Sequence, residues 1–285
     1  MVKISYMNGD YLDHDKAKIH IEDRSNQFSD GVYEVIEIKQ STCLNFADHM
    51  TRLSRSLKEL KIDFVNEPDK IKTIILELFA KNKLANGAVY IQISRGSAPR
   101  NHAFPEHAAP FITMTILDMK PPFLADYENG IKVITYPDMR WKRRDIKTVS
   151  LLANVLAKEE AARQGAAEAV LFEDDGMITE ASSSNLFIID EQNILRTHPL
   201  NNMILGGVTR KNILNVAAKL GIKYKEEAFS KDDLFKAKEV FITSTIRHVL
   251  PVTTIDEVVV GNGKIGPLTY KLRVAYEEFL NGQVY

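Results

Sequence analysis

The spacing of apolar and polar positions changes period several times along the chain, and each change marks an element. Residues 32–39 alternate with a period of two, as a half-buried strand does. Leu53, Leu57 and Leu60 then recur at helical spacing, and so do Ile71, Ile74, Ile75 and Leu78, with Pro68 suited to a first helical turn. Residues 88–94 and 111–116 read as further strands. Near the start, Asn8-Gly9 sits where a hairpin turn needs positive φ.

The pair Pro121-Pro122 after Lys120 interrupts this pattern, because paired prolines favour extended backbone and cannot continue a helix interior. A domain boundary is expected there, dividing residues 1–119 from 120–285. Beyond it, residues 131–136 read as a strand, and residues 151–164 as a helix closed by Gly165. Strands at 168–172 and 186–189 flank a turn at Asp175-Gly176. Residues 211–220 form a predicted helix with Thr209 as N-cap and Gly221 past its end. Residues 240–243 are another strand. Strands and helices mixed in this way give an α+β class with two domains.

Composition narrows the functional classes. The chain has 285 residues, enough for a large core, and a formal net charge of −1, so no global field recruits nucleic acid or anionic lipid. The one local basic stretch, residues 140–144, runs straight into Asp145 and makes a poor nucleic-acid footprint. No apolar run approaches the ~18 residues of a membrane span. The first residues carry no basic stretch followed by an apolar one, so no secretory leader is expected. The single cysteine, Cys43, cannot form an internal disulfide and reads as a small strand residue. A cytoplasmic globular protein without a metal site is the expectation.

Several segments could carry chemistry. Residues 206–210 (GGVTR) place two glycines before a helix start, where free N–H groups and a hydroxyl from Thr209 suit a phosphate; a plain turn and cap would look the same. His49 and Arg52 lie three apart on one helix face, beside the buried leucine stripe. Residues 179–185 (TEASSSN) set a carboxylate, three serines and an asparagine between two apolar strands, as a solvated loop or a hydrogen-bonded cluster. Arg100 and His102 lie two apart after Pro99; if that loop is extended they point the same way and suit a carboxylate ligand, and a polar surface loop would look the same. Tyr33 and Tyr90 fall on strands. Nothing in the spacing of Lys147 distinguishes it from other lysines.

Taken together, these segments resemble the fold-type IV pyridoxal-phosphate enzymes, and among them the D-amino acid aminotransferases. The resemblance covers nearly the whole chain. It is carried by residues 22–35 (EDRSNQFSDGVYEV), 95–105 (RGSAPRNHAFP), 140–147 (RWKRRDIK), 179–185, 198–205 (HPLNNMIL) and 243–245 (TST). It implies a smaller N-terminal α/β domain and a larger C-terminal domain with a barrel-like sheet, with the active site between them. It also implies pyridoxal 5'-phosphate as cofactor.

By the same resemblance, Lys147 holds the cofactor as a Schiff base and then shuttles the proton, and Glu180 faces the pyridine nitrogen. Arg52, Val208, Thr209, Ser244 and Thr245 hold the phosphate. Arg140 lies near the phenolic oxygen, and Tyr33, Arg100 and His102 trap the substrate carboxylate. Arg100 and His102 come from the neighbouring subunit, so a homodimer is implied. The implied reaction moves an amino group from D-alanine or D-glutamate to a 2-oxo acid such as 2-oxoglutarate or pyruvate.

Two stretches depart from the pattern. Arg247-His248 stands where smaller or uncharged groups are expected, and Lys142 to Arg144 is unusually basic. Branched-chain aminotransferases and 4-amino-4-deoxychorismate lyases share the implied fold. The Arg100 and His102 pair favours the D-specific branch over both, and Lys147 with Glu180 argues against a non-catalytic binding protein.

Overall fold

The structure, a computed structural model, describes residues 2–65, 67–117 and 124–284. These residues fall into two compact units. One comprises the described residues up to 117 together with Ile146–Ser150; the other comprises residues 124–145 and 151–283. The boundary expected at Lys120-Pro121-Pro122 lies outside the described residues.

The first unit runs β1 (Ile4–Met7), β2 (Asp10–Asp13), α1 (Arg24–Phe28), β3 (Gly31–Lys39), β4 (Thr42–Cys43), α2 (Phe46–Glu59), α3 (Pro68–Lys81), β5 (Gly87–Ser94) and β6 (Phe111–Leu117). Its six strands form one antiparallel sheet in the order β2-β1-β6-β5-β3-β4. The β1–β2 turn uses positive φ at both Asn8 and Gly9, as the dipeptide indicates. The period-two pattern of β3 buries Val32, Glu34, Ile36 and Ile38 on one face. Leu53 and Leu57 of α2 and Ile75 and Leu78 of α3 complete the same core. A carboxylate thus occupies a core position of β3, between apolar neighbours.

Ile146–Ser150 joins this unit through backbone pairing. The Tyr33 N–H donates to the Lys147 carbonyl at 3.0 Å, and the Val149 N–H donates to the Gly31 carbonyl at 3.1 Å. Val32 and Thr148 form the antiparallel bridge between them. The start of β3 is thereby given a partner along its edge.

The second unit runs α4 (Leu124–Asn129), β7 (Ile131–Pro137), α5 (Leu152–Arg163), β8 (Glu168–Phe172), β9 (Ile178–Ala181), β10 (Asn185–Ile189), β11 (Leu195–Thr197), α6 (Val208–Lys219), β12 (Tyr224–Glu226), α7 (Lys231–Lys236), β13 (Glu239–Ser244), β14 (His248–Ile255), β15 (Val258–Val259) and α8 (Pro267–Asn281). Among the described residues it holds a nine-stranded mixed sheet, with β12-β11-β10-β13-β14-β7-β8-β9 as its path and β15 paired to β14. In that order β10 lies five strands from β9. A flat sheet would separate them by about 24 Å. Yet only residues 182–184 connect Ala181 to Asn185, a reach of at most about 14 Å. The sheet must therefore curl back on itself. Its interior is filled by Val133, Val170, Ile178, Ile188, Ile242 and Leu250, one from each of the six strands along that arc.

One sequence expectation is corrected here. α6 begins at Val208 with Gly207 as its N-cap, so Thr209 lies inside the first turn. Space decides this: a Cβ on Gly207 would fall 1.9 Å from Asn185 Oδ1. Among the described residues, no helix is long and apolar enough to cross a membrane.

Candidate active site

In the first unit, chemistry gathers around Glu34. Its carboxylate takes Arg52 in a fork, Nε to Oε1 and Nη2 to Oε2, both at 2.7 Å. The His49 Nδ1–H donates to Oε2 at 2.8 Å. Burial alone would raise the Glu34 carboxyl, but the Arg52 charge and the bonds from Arg52 and His49 outweigh it and hold the group well below the ordinary range. Burial pushes His49 downward, against the pull of Glu34, and the Arg52 and Lys147 charges add to the fall. His49, Arg52 and Ser56 recur along one face of α2. The Ser56 hydroxyl accepts the Lys147 backbone N–H at 3.3 Å. One helix face thus fixes both a guanidinium and the backbone of Lys147.

Tyr33, on the opposite face of β3 from Glu34, lies under the Lys147 amino group, 4.1 Å from nitrogen to ring centre. Its ring stacks on Tyr90 at 5.5 Å. Burial pushes the Tyr90 hydroxyl up to about 12. That hydroxyl donates to Gln92, whose amide donates to Ser25 at the start of α1. Farther along the same surface, Arg100 and His102 both meet the Phe28 ring, at 4.6 Å and 5.2 Å. Both are exposed. No hydrogen bond or ring contact joins Tyr33 to either of them among the described residues.

In the second unit, Glu180 is the centre. It is buried, and its carboxylate receives Arg140 Nη1 at 2.5 Å, the Asn185 amide at 2.8 Å and the Leu205 N–H at 3.1 Å and 3.2 Å. Burial raises its proton affinity, and this outweighs the lowering by Arg140 and Leu205. Arg140 is held in turn by a fork to Asp138, at 2.9 Å and 2.7 Å. Asn185 also donates to the Leu205 carbonyl at 2.8 Å. The asparagine that fixes Glu180 therefore also abuts Gly207, the cap of α6.

That helix start presents the N–H groups of Val208 and Thr209, which helical geometry leaves without intrahelical acceptors. Ser244 and Thr245 lie where β13 turns into β14, and the Ser244 hydroxyl accepts the Arg247 N–H at 3.2 Å. The Thr243 hydroxyl beside them is buried and has no hydrogen-bond partner among the described residues. Arg247 faces Asp126 at 3.7 Å, and His248 pairs with Glu277 at 2.6 Å. The departures in this stretch are thus tied to neighbouring helices of the same unit.

The sequence reading missed Glu34 and Asn185 as parts of this machinery. Glu34 had a legible signal: it takes the inward phase of an apolar alternation, where a carboxylate requires a cationic partner. Asn185 lay inside a segment singled out as unusual, but its partners are distant in sequence.

The profile of the family described as amino-transferase class IV matches residues 31–255. A D-alanine aminotransferase of Bacillus licheniformis is 40% identical over 95% of this chain and 94% of its own. One of Staphylococcus haemolyticus is 38% identical over 99% of both chains. The crystal structure of the Escherichia coli branched-chain amino acid aminotransferase shares the fold, with a TM-score of 0.91, 24% identity and coverage of 99% and 96%.

The Glu34 cluster makes a pH-dependent contribution to stability. A carboxyl depressed in the folded state stabilises it above the unfolded value, here 4.5, and that stability is lost as pH falls below it. A depressed His49 adds a loss that begins below 6.5. Glu34→Gln should cost about 3–5 kcal/mol at pH 7 by leaving Arg52 buried without its charge partner. It should also remove the part of the acid loss that sets in below pH 4.5, while the His49 part, below 6.5, remains. Urea denaturation at pH 7 and from pH 4.5 to 3 checks both; a variant as acid-sensitive as the parent over that lower range would contradict the assignment.

Proposed function

The chain belongs to the amino-transferase class IV family, and on that premise we propose that it transfers amino groups from D-amino acids, D-alanine and D-glutamate among them, to 2-oxo acids such as 2-oxoglutarate or pyruvate. The D-amino acid part of this reading is supported by the similarity to D-alanine aminotransferases, and the observation that carries its cofactor part is Glu180: a buried carboxylate held by three donor groups, with raised proton affinity. Such a group shares a proton readily with a pyridine nitrogen.

The residues present fit pyridoxal 5'-phosphate. Val208, Thr209, Ser244 and Thr245 offer N–H and hydroxyl donors, and the unpartnered Thr243 hydroxyl lies next to them on β13. We assign these four residues and Arg52 to the phosphate, Glu180 to the ring nitrogen and Arg140 to the phenolic oxygen. When bound, the cofactor supplies a carbonyl that condenses with amines and a ring that accepts electron density from Cα. Lys147 anchors it and carries the proton. Its backbone is held by Tyr33 and Ser56, so its amino group is presented from a fixed strand edge. Glu34 keeps Arg52 in a single orientation through a two-bond fork.

Tyr33, Arg100 and His102 receive the substrate carboxylate in this proposal, with Arg100 and His102 reaching the site of a second copy. A homodimer is supported by α5, where Leu152, Val155 and Leu156 lie at helical spacing on one face and are 73%, 57% and 56% exposed. Free Cys43 is buried, and the cytoplasm is the proposed location.

Two measurements test the reading. Removing Arg52 in a background that leaves no buried carboxylate unpaired, Glu34→Gln with Arg52→Ala against Glu34→Gln alone, should weaken cofactor binding roughly 10- to 100-fold. Reconstitution after dialysis measures this, and equal affinity in the two variants would remove Arg52 from the phosphate site. The second is a panel of D- and L-amino acids with 2-oxoglutarate. D-alanine or D-glutamate should react fastest, because a cationic pocket fixed on one side of Cα selects which enantiomer turns its hydrogen toward Lys147. Faster turnover of L-leucine or L-valine would assign the chain to the branched-chain activity. Pyruvate release from 4-amino-4-deoxychorismate without an amino acceptor would assign it to the lyase.

A further inference from the structure

We propose that the Phe28 ring is the platform that orients Arg100 and His102, making Phe28 a positioning residue for the substrate carboxylate. This rests on the assignment of Arg100 and His102 to that carboxylate.

Three groups converge on this one ring: the Arg24 guanidinium at 4.7 Å, the Arg100 guanidinium at 4.6 Å and the His102 imidazole at 5.2 Å. Two of them, Arg100 and His102, are exposed side chains on a loop. The other arginines near this loop are committed. Arg24 gives Nε to Asp30 at 2.8 Å, and Arg95 forks onto the same carboxylate at 2.8 Å and 3.0 Å. Arg100 and His102 differ: among the described residues, neither makes a hydrogen bond or an ion pair. A guanidinium laid over a ring keeps its edge donors free for a planar, bidentate acceptor such as a carboxylate.

The backbone beneath is fixed to match. Arg24 Nη1 donates to the Asn101 carbonyl at 2.6 Å, midway between Arg100 and His102. The Arg24 N–H donates to Gly96 at 3.0 Å, and the Asp23 and Ser97 backbones bridge. At the neck of the loop, Gly96 has φ +100°, and a Cβ there would fall 2.0 Å from the Ala109 carbonyl oxygen. The loop is therefore pinned at its neck and its middle by α1, and α1 also carries Phe28. The segment is bent rather than extended, at Arg100 and again at His102, and both side chains still meet the same ring. The geometry sets where the two cations stand before any substrate arrives, which lowers the ordering cost of binding.

The test uses the intact, cofactor-loaded protein, with D-alanine and 2-oxoglutarate. Phe28→Leu keeps apolar bulk and removes the aromatic face. It should raise KM for D-alanine about 5-fold, with kcat changed less than 2-fold and the cofactor absorbance retained. Phe28→Tyr, which keeps the ring, should restore KM. Arg100→Ala alone should raise KM, and adding Phe28→Leu to it should cost less than Phe28→Leu costs in the parent, since only His102 is then left for the ring to orient. If Arg100→Ala raises KM and Phe28→Leu does not, or if the two effects simply multiply, the inference is overturned and the carboxylate assignment stands. If Arg100→Ala leaves KM unchanged, the carboxylate assignment is wrong and the inference falls with it.

Discussion

A carboxylate placed at a core position of a strand has to be neutralised where it stands. Glu34 is such a group, fully buried between Val32 and Ile36 on the inward face of β3. Removing an ionised carboxylate from water costs several kcal/mol unless charge and hydrogen bonds replace the lost hydration. Arg52 and His49 supply both, and they do so from positions three apart on α2. The demand of Glu34 and the buried stripe of Met50, Leu53 and Leu57 together set the rotation of α2 about its axis. With that rotation set, Ser56 reaches the Lys147 backbone, and the edge of β3 takes residues 147–149 as its neighbour. A single buried charge thus orients a candidate anion-binding arginine and the strand edge that presents Lys147.

The second unit depends on a comparable constraint at residues 182–184. The curl of its sheet is closed by this short turn, and the turn is held by a buried acid, Glu168. All three serine hydroxyls converge on it; Ser182 and Ser183 donate to its two oxygens, and Ser184 lies at 3.4 Å. The serine run that stood out in the sequence is accordingly a hydrogen-bonded cluster. Its consequence is positional. Glu180 just before the turn and Asn185 just after it are brought together, and Asn185 extends the linkage to the start of α6. The hydrogen bonding of Glu180 and the placement of that helix start are therefore set by one local arrangement.

Elements with their own periodicity were legible from the chain: β3, α2, α3, β5 and β8 lie where the apolar spacing places them. The short elements were not. α1 has five residues and no apolar face, and β11 and β12 have three residues each, fewer than a period needs to declare itself. α7 carried a local signal that periodicity reading passes over, the reciprocal capping of Ser230 and Asp233. Among the candidate residues, Arg52, Thr209, Arg100 and His102 could be proposed from spacing and chemistry. Lys147 could not, because what sets it apart is backbone pairing to a strand more than a hundred residues earlier. Resemblance to a known family supplied what local pattern could not.

The assigned roles turn on the proposal that Lys147, held against β3, carries the cofactor. Borohydride reduction of the loaded protein followed by peptide mapping tests it most directly, because reduction makes the lysine–cofactor bond permanent. A phosphopyridoxyl label is expected on the peptide containing Lys147 and on no other, with no label after Lys147→Ala. A label on any other lysine, or full labelling of the variant, would contradict it.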